Sequence, residues 1–249
     1  MTLKALIFDV DGTLAETERD GHRVAFNQAF AEAKLDWNWS VDLYGELLDV
    51  PGGKERIRFY LEKYQPHLEK PENLDEFISS LHHLKNQYYR DLLASGTIPL
   101  RPGIKRLIQA AKTAGLRLAI ATTSALPNAM ALLEKTLNPD WFEVIGAGDI
   151  VPAKKPAPDI YYYVLEKLEL TPQDCLVFED SHQGLKAATK AGFKTIVTVN
   201  NYTQNQDFSD AALVVNHLGE VDKPLTCLAG KLEGVSYLDI PQLQKLSTD

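Results

Sequence analysis

The chain has 249 residues, 45% of them hydrophobic and 24% charged, with a formal net charge of −8. That is the composition of an ordinary globular protein, long enough for one or two domains and a sizeable core. The acidic balance, with no basic cluster set against it, argues against nucleic-acid binding, and no apolar run reaches membrane-spanning length. Cys175 and Cys227 are too few for a disulfide framework and form no metal-type pair. With no signal or transit pattern ahead of the first strand, the expected setting is a reducing cytoplasm, or a plastid stroma if a transit peptide has been removed.

In chain order, Ala5-Leu-Ile-Phe8 reads as a short buried parallel strand. It delivers Asp9 and Asp11 to its carboxyl end, followed at once by Gly12 and Thr13. In open α/β sheets that end of a strand is where ligands bind. Two clustered carboxylates raise each other's cost of ionisation unless a cation holds them. Hard oxygen ligands favour Mg²⁺, which usually brings substrate phosphates with it, and an Asp can itself attack phosphorus. Taken alone, the same residues also suit a solvated loop after a strand.

Apolar positions Val24, Ala25, Ala29, Phe30 and Ala33 then give helical spacing over 18–33. Further helices are expected over 41–48, 54–64 and 73–95, with no convincing strand among them. The run Gly96-Thr-Ile-Pro-Leu-Arg-Pro-Gly103 supplies breakers. Beyond it, helices over 104–114, 127–137, 159–168 and 181–191 alternate with strands over 116–121, 142–145, 175–178, 195–199 and, more weakly, 212–215. That alternation predicts an α/β fold, a doubly wound Rossmann-like parallel sheet. The helical block interrupts it, so residues 1–15 and 99–249 are expected to form the core and 16–98 an inserted helical cap domain, with linkers near Ala15 and Leu100. The tail over 228–249 carries little signal beyond a possible cover for the sheet edge.

Three more polar groups fall at the carboxyl ends of expected core strands. Strand 116–121 runs into Thr122-Thr123-Ser124, hydroxyls and amides suited to phosphoryl oxygens and equally to capping the next helix. Lys154-Lys155-Pro156-Ala157-Pro158-Asp159 places a Lys ahead of two prolines, where it can neutralise charge between a carboxylate and a phosphoryl group; alone, such a pair is ordinary solvated surface. Strand 175–178 delivers Glu179 and Asp180, which open a helix and would also serve as plain N-terminal acids. Four such sites at four strand ends make coincidence improbable.

Asp9-Val-Asp-Gly-Thr13, Thr122, Lys155-Pro156 and Glu179-Asp180 resemble, in order and spacing, the four motifs of the haloacid dehalogenase superfamily, and the resemblance covers nearly the whole chain. Within it the chain is similar to the β-phosphoglucomutase and sugar-phosphatase branch, and there to the CbbY-type phosphatases acting on xylulose-1,5-bisphosphate, an inhibitor of Rubisco. The matching words are Ala15-Glu-Thr-Glu18, Gly21-His-Arg-Val-Ala-Phe-Asn27, Gly52-Gly-Lys-Glu-Arg56, Leu100-Arg-Pro-Gly-Ile104, Ala121-Thr-Thr-Ser124, Ala147-Gly-Asp149 and Lys154-Lys-Pro-Ala-Pro-Asp159.

The resemblance implies a phosphoric monoester hydrolase in which Asp9 is the nucleophile and Asp11 the acid and base. Asp9, the Asp11 carbonyl, Glu179 and Asp180 would ligate Mg²⁺, Thr122 and Thr123 would bond phosphoryl oxygens, and Lys155 would offset charge. The second motif begins with Thr122 where relatives can have Ser, a change that keeps the hydroxyl donor. For substrate choice, Lys54 and Arg56 are candidate cations for a distal phosphate, and Lys85 resembles a cap Lys that reaches substrate in the mutase relatives. Glu16 in the linker is a candidate for the sugar hydroxyls, and His22, on the first cap helix near the hinge, is a further substrate-binding candidate. Each has an ordinary alternative: a solvated helix face for Arg56 and Lys85, a packed or capping role for His22. Trp37, Trp39, Phe59 and Tyr60 are expected in the cap core, and Tyr161 to Tyr163 in packing behind the third motif. The expected partner is a small sugar phosphate, with no nucleic acid and no membrane, acted on by a monomer. A phosphosugar mutase, a phosphoglycolate phosphatase and a non-catalytic phosphosugar-binding regulator are the alternatives.

Overall fold

The computed structural model describes residues 3–50, 52–67, 72–148, 150–232 and 234–248. Two units are formed: Met1–Glu16 with Pro99–Asp249, and Thr17–Ile98. The first is a seven-stranded sheet in the order β3-β2-β1-β4-β5-β6-β7. Its strands are β1 (Ala5–Phe8), β2 (Arg117–Ala121), β3 (Val144–Gly146), β4 (Cys175–Glu179), β5 (Lys194–Thr198), β6 (Leu213–Val215) and β7 (Cys227–Gly230). The first six pair in parallel and β7 runs antiparallel to β6.

All four residues of β1 are buried, as a central strand covered on both faces requires. Alternate residues serve opposite faces. Ala5, Ile7, Ala119, Ala121 and Val177 join one core with α7 (Asp159–Leu168) and α8 (His182–Lys190). The opposite face carries Phe8 and Phe178, stacked at 4.5 Å. There α5 (Ile104–Thr113) packs on β2, and α9 (Ile240–Thr248) on α5 and β4. Helix α5 buries Ile104, Leu107, Ile108 and Ala111, a stripe at i, i+3, i+4 and i+7. Helix α6 (Leu126–Thr136) follows β2.

The register fixes the site. Phe8 pairs with Ile120 on one side and with Phe178 on the other, so the residues one step further, Asp9, Ala121 and Glu179, end their strands side by side. The chain leaves and re-enters this unit along one line, because Ala15 bridges Leu100 in antiparallel fashion and Arg101 N donates to Leu14 O at 2.8 Å.

Two features depart from the sequence expectation. The sheet is not wholly parallel: Cys227–Gly230 adds an antiparallel edge strand, and its four small or mostly exposed residues carry no alternating pattern to reveal it. The third strand is Val144–Gly146, later than expected, because a 3₁₀ turn at Pro139–Trp141 occupies the chain before it.

Among its described residues the second unit has only helical elements, joined by turns and loops: a π-helical turn Glu18–His22, α1 (Arg23–Glu32), α2 (Val41–Leu47), α3 (Gly53–Tyr64) and α4 (Leu74–Ser95). Ser40 caps α2 and Asn73 caps α4, each accepting from a backbone N–H in the first turn. Trp37, Trp39 and Tyr60 lie in an aromatic core with Phe26, Phe30 and Tyr44, while Phe59 is half-buried beneath Lys63. Asn27 holds this core in register by bonding both the N–H and the carbonyl of Trp39, at 2.7 and 3.0 Å. Among the described residues, no helix is long and apolar enough to cross a membrane.

Candidate active site

Asp9 continues the ladder of β1, donating its N–H to Phe178 O at 3.0 Å. The chain then turns sharply, with Leu14 N on Val10 O and Gly12 N on Ala15 O, both at 2.9 Å. Gly12 has φ +82°, and a Cβ there would fall 2.2 Å from Asp180 Oδ2, so only glycine fits the turn and the close approach together. From β4, Glu179 and Asp180 reach the same place. Asp9, Glu179 and Asp180 are all buried, and each offers an oxygen within 4.8 Å of the others'.

Lys155 enters from the loop before α7, its peptide bond to Pro156 cis. Its ammonium donates to Asp9 Oδ1 at 2.8 Å, Glu179 Oε1 at 2.6 Å and Ala121 O at 2.8 Å, one partner for each of its three protons. Burial alone would lower its pKa, but the Asp9 and Glu179 carboxylates raise it, so it stays an ammonium. Burial pushes Asp9 up to about 7; Lys155 works against that rise and Glu179 adds to it. Asp180 is also raised, by burial first and then by Asp9 and Glu179. One ammonium therefore does not offset three buried carboxylates. The donor set, three buried acidic oxygens within reach of one point, fits a small hard dication such as Mg²⁺.

The remaining sequence candidates of this unit are distributed as follows. Asp11 is half-buried and its Oδ2 accepts from the Ser124 hydroxyl. Thr122 is buried, its N–H on Gly146 O at 2.9 Å and its hydroxyl accepting from Ser124 N at 3.1 Å. Thr123 is exposed. Glu16 is half-buried and pairs with Arg101 Nε at 3.0 Å. Asp149, part of one matching sequence word, lies outside the described residues.

Four further residues support this cluster, and none was singled out as a site residue in the sequence. Ser124 holds Asp11. Asn200, just past β5, donates to Asp180 Oδ2 at 2.6 Å. Arg101 is buried, and burial lowers its pKa against the pull of Glu16 and Asp180. Its guanidinium bonds Gly12 O, Thr198 O (2.8 Å), Val199 O (2.6 Å) and Asn216 O (2.7 Å), tying three strand-end loops together. Tyr161 donates its hydroxyl to Glu179 Oε1. A signal existed for Ser124, the last hydroxyl of a run after a strand, and for Arg101, a charge between breakers. Asn200 and Tyr161 become visible only once the strands are aligned. Of the three adjacent tyrosines expected in packing, Tyr161 lies in the core and also has a polar partner, Tyr163 is half-buried against that core, and Tyr162 is exposed.

In the helical unit, Lys54 is exposed at the start of α3. Arg56 is buried instead of lying on a solvated face, donating to Leu47 O, Tyr44 OH and Val50 O at 3.0, 3.1 and 3.3 Å. Lys85 is also buried. Its ammonium lies 2.7 Å from His22 Nδ1 and over the rings of Phe26 and Tyr89, and His22 stacks on Tyr89 at 3.8 Å. His82 marks where these groups converge: burial first, then Lys85, Lys54, His22 and Arg56, together lower its pKa to about 4.

The model for haloacid dehalogenase-like hydrolases matches residues 3–192. The chain belongs to this family. It is 47% identical over 226 residues to the plasmid CbbY protein of Cupriavidus necator, covering 90% of this chain and 89% of that one. It is 50% identical over 214 residues to CbbY of Rhodobacter capsulatus, covering 85% and 92%. Among solved structures, a variant of CbbY from Rhodobacter sphaeroides in complex with xylulose-1,5-bisphosphate superposes with a TM-score of 0.78 at 43% identity, covering 88% of this chain and 98% of that one. This haloacid dehalogenase-like hydrolase is an enzyme of the phosphatase type.

Proposed function

We propose that the protein is a Mg²⁺-dependent sugar-phosphate phosphatase that converts xylulose-1,5-bisphosphate to xylulose-5-phosphate, removing a Rubisco inhibitor. The observation that carries the chemistry is the buried cluster of Asp9, Lys155, Glu179 and Asp180 at aligned strand ends. The likeness to CbbY proteins, one of them solved with that bisphosphate, supports the choice of substrate.

In this reading an Asp9 carboxylate oxygen attacks phosphorus in line, forming an aspartyl-phosphate as the bond to the sugar oxygen breaks. Asp11 gives a proton to that leaving oxygen. It then takes one from the water that attacks the aspartyl-phosphate, which regenerates Asp9 and releases phosphate. Ser124, bonded to the Asp11 carboxyl, orients it. Thr122 and Thr123 supply donors to phosphoryl oxygens, and Lys155 offsets negative charge beside Asp9. Held by Asp9, the Asp11 carbonyl, Glu179 and Asp180, Mg²⁺ would neutralise charge on the transferring group.

The helical unit is proposed to choose the substrate. Lys54 would serve the second phosphate and His22 and Lys85 the sugar, while Arg56, bonded to Leu47 O and Val50 O, would hold the turn ahead of α3. The positive field that four of these groups impose on His82 supports an anion there. Steady-state phosphate release on a panel of sugar mono- and bisphosphates, phosphoglycolate and an aryl phosphate, with and without Mg²⁺, tests the reading. The expected result is Mg²⁺-dependent hydrolysis with the highest kcat/KM for xylulose-1,5-bisphosphate. Preferred hydrolysis of phosphoglycolate, or rapid formation of glucose-6-phosphate from β-glucose-1-phosphate and a bisphosphate primer, would overturn it.

A further inference from the structure

Glu179 is 1% exposed, and two donors converge on one of its oxygens: the Lys155 ammonium and the Tyr161 hydroxyl both bond Oε1. Both come from one short segment. The loop carrying Lys155 leads directly into α7, whose first turn is set by Tyr161 N on Pro158 O at 2.9 Å. The Tyr161 ring packs in the sheet–helix core and tilts against Phe193 at 5.4 Å. A phenylalanine would fill that space equally well, so packing accounts for the ring and leaves the hydroxyl unexplained.

Lys155 supplies the reason for a second donor. Its three protons are already spent on Asp9, Glu179 and Ala121 O. An arriving phosphoryl oxygen can be served only if one of these bonds is released. With Lys155 as its sole donor, Glu179 would then be a buried carboxylate with nothing to hold it. Tyr161 keeps a donor on Glu179 whatever Lys155 does. The other side is closed as well, because a methyl group at Gly184 of α8 would fall 1.9 Å from Glu179 Oε2.

We propose that Tyr161 is a positioning residue whose hydroxyl fixes the Glu179 carboxylate for the divalent cation. This rests on the reading of Asp9, Glu179 and Asp180 as the cation site. Outer donors to metal ligands characteristically govern affinity, their loss costing about 10–100-fold.

The test is Mg²⁺ titration by isothermal calorimetry of the metal-free wild type, Tyr161→Phe and Tyr162→Phe, with thermal melts in chelator and in saturating Mg²⁺. Tyr161→Phe is expected to weaken the Mg²⁺ Kd about tenfold or more and to shrink the rise in Tm on adding Mg²⁺. Tyr162→Phe, altered at an exposed hydroxyl on the same helix, should match the wild type. A Tyr161→Phe protein with wild-type or tighter Mg²⁺ affinity overturns the proposal alone, and a Tm lowered equally with and without Mg²⁺ at unchanged Kd would reduce Tyr161 to packing. A wild type that binds no Mg²⁺ overturns the cation reading, and this inference with it.

Discussion

Lys155 and Lys85 are both buried lysines, one in each unit, and their surroundings differ in kind. Lys155 lies among acids, with Asp9 and Glu179 within 2.8 Å. Lys85 lies against the His22 imidazole and over two aromatic rings. The α/β unit gathers negative groups around a point that one ammonium does not balance. The helical unit gathers positive groups around His82. A divalent cation answers the first imbalance and an anion the second. Carboxylates at strand ends can do little but serve the site, whereas the basic groups of the helical unit are also used to build it. The contrast can be broken at either end.

The largest effect is expected at Asp9. Asp9→Asn is nearly isosteric and removes the proposed nucleophile, so turnover of any phosphate ester should fall by ~10⁴ or more. Because burial disfavours the ionised Asp9 in the folded protein, the neutral side chain should leave the metal-free Tm no lower than that of the wild type at pH 8. Activity close to wild type in that variant would remove Asp9 from the mechanism.

Arg56 and Lys54 probe the other half. Arg56 spends its guanidinium on Leu47 O, Tyr44 OH and Val50 O, so Arg56→Ala should destabilise the helical unit by about 1.5–3 kcal/mol, the range for hydrogen bonds to a charged group, and weaken all substrates together. Lys54 is exposed. Lys54→Ala should leave Tm unchanged and lower kcat/KM roughly tenfold or more for a bisphosphate, far less for an aryl phosphate, as loss of a charge-assisted bond to the second phosphate requires. Equal losses on both substrates for Lys54→Ala would take the distal-phosphate role away from it.

This difference also explains what could be read without the structure. The alternation of helices and short apolar strands declared the α/β sheet, and each strand end exposed its polar residues as a break in an apolar run: Asp9 after Phe8, Thr122 after Ala121, Glu179 after Phe178. Asn200 and Tyr161 stayed hidden because their partners, Asp180 and Glu179, lie across the sheet and far along the chain. The solvated-face alternative for Arg56 failed for a different reason. A basic residue two positions after Gly-Gly-Lys looks solvent-facing, yet the chain between α2 and α3 turns back its carbonyls and buries it. The edge strand Cys227–Gly230 has no apolar alternation to read, since only its backbone pairs.

The smallest expected effect is a pH dependence of opposite sign in the two units. In metal-free protein, Asp9 has a folded pKa near 7 against 3.8 unfolded, and Asp180 is raised likewise. Between those values the folded state binds more protons than the unfolded one, so stability is full at low pH and falls as pH rises through about 7. His82 is shifted the other way, to about 4 from 6.5. There the unfolded state binds the extra proton, so this contribution grows as pH rises from about 4 to 6.5 and is constant above. The two oppose each other below pH 6.5, where His217 of the α/β unit, lowered by burial, acts in the same sense as His82; above it the raised carboxylates carry the remaining decline. Melting in chelator should therefore show Tm declining from pH 6.5 to 8, and saturating Mg²⁺, which stabilises the ionised carboxylates, should flatten or reverse that decline. His82→Gln should remove the opposing contribution and so steepen the decline below pH 6.5, leaving the decline above it intact. A metal-free Tm that is level from pH 6 to 8, or a decline that Mg²⁺ does not alter, would mean that the three carboxylates are already balanced within the fold and make no demand for a cation.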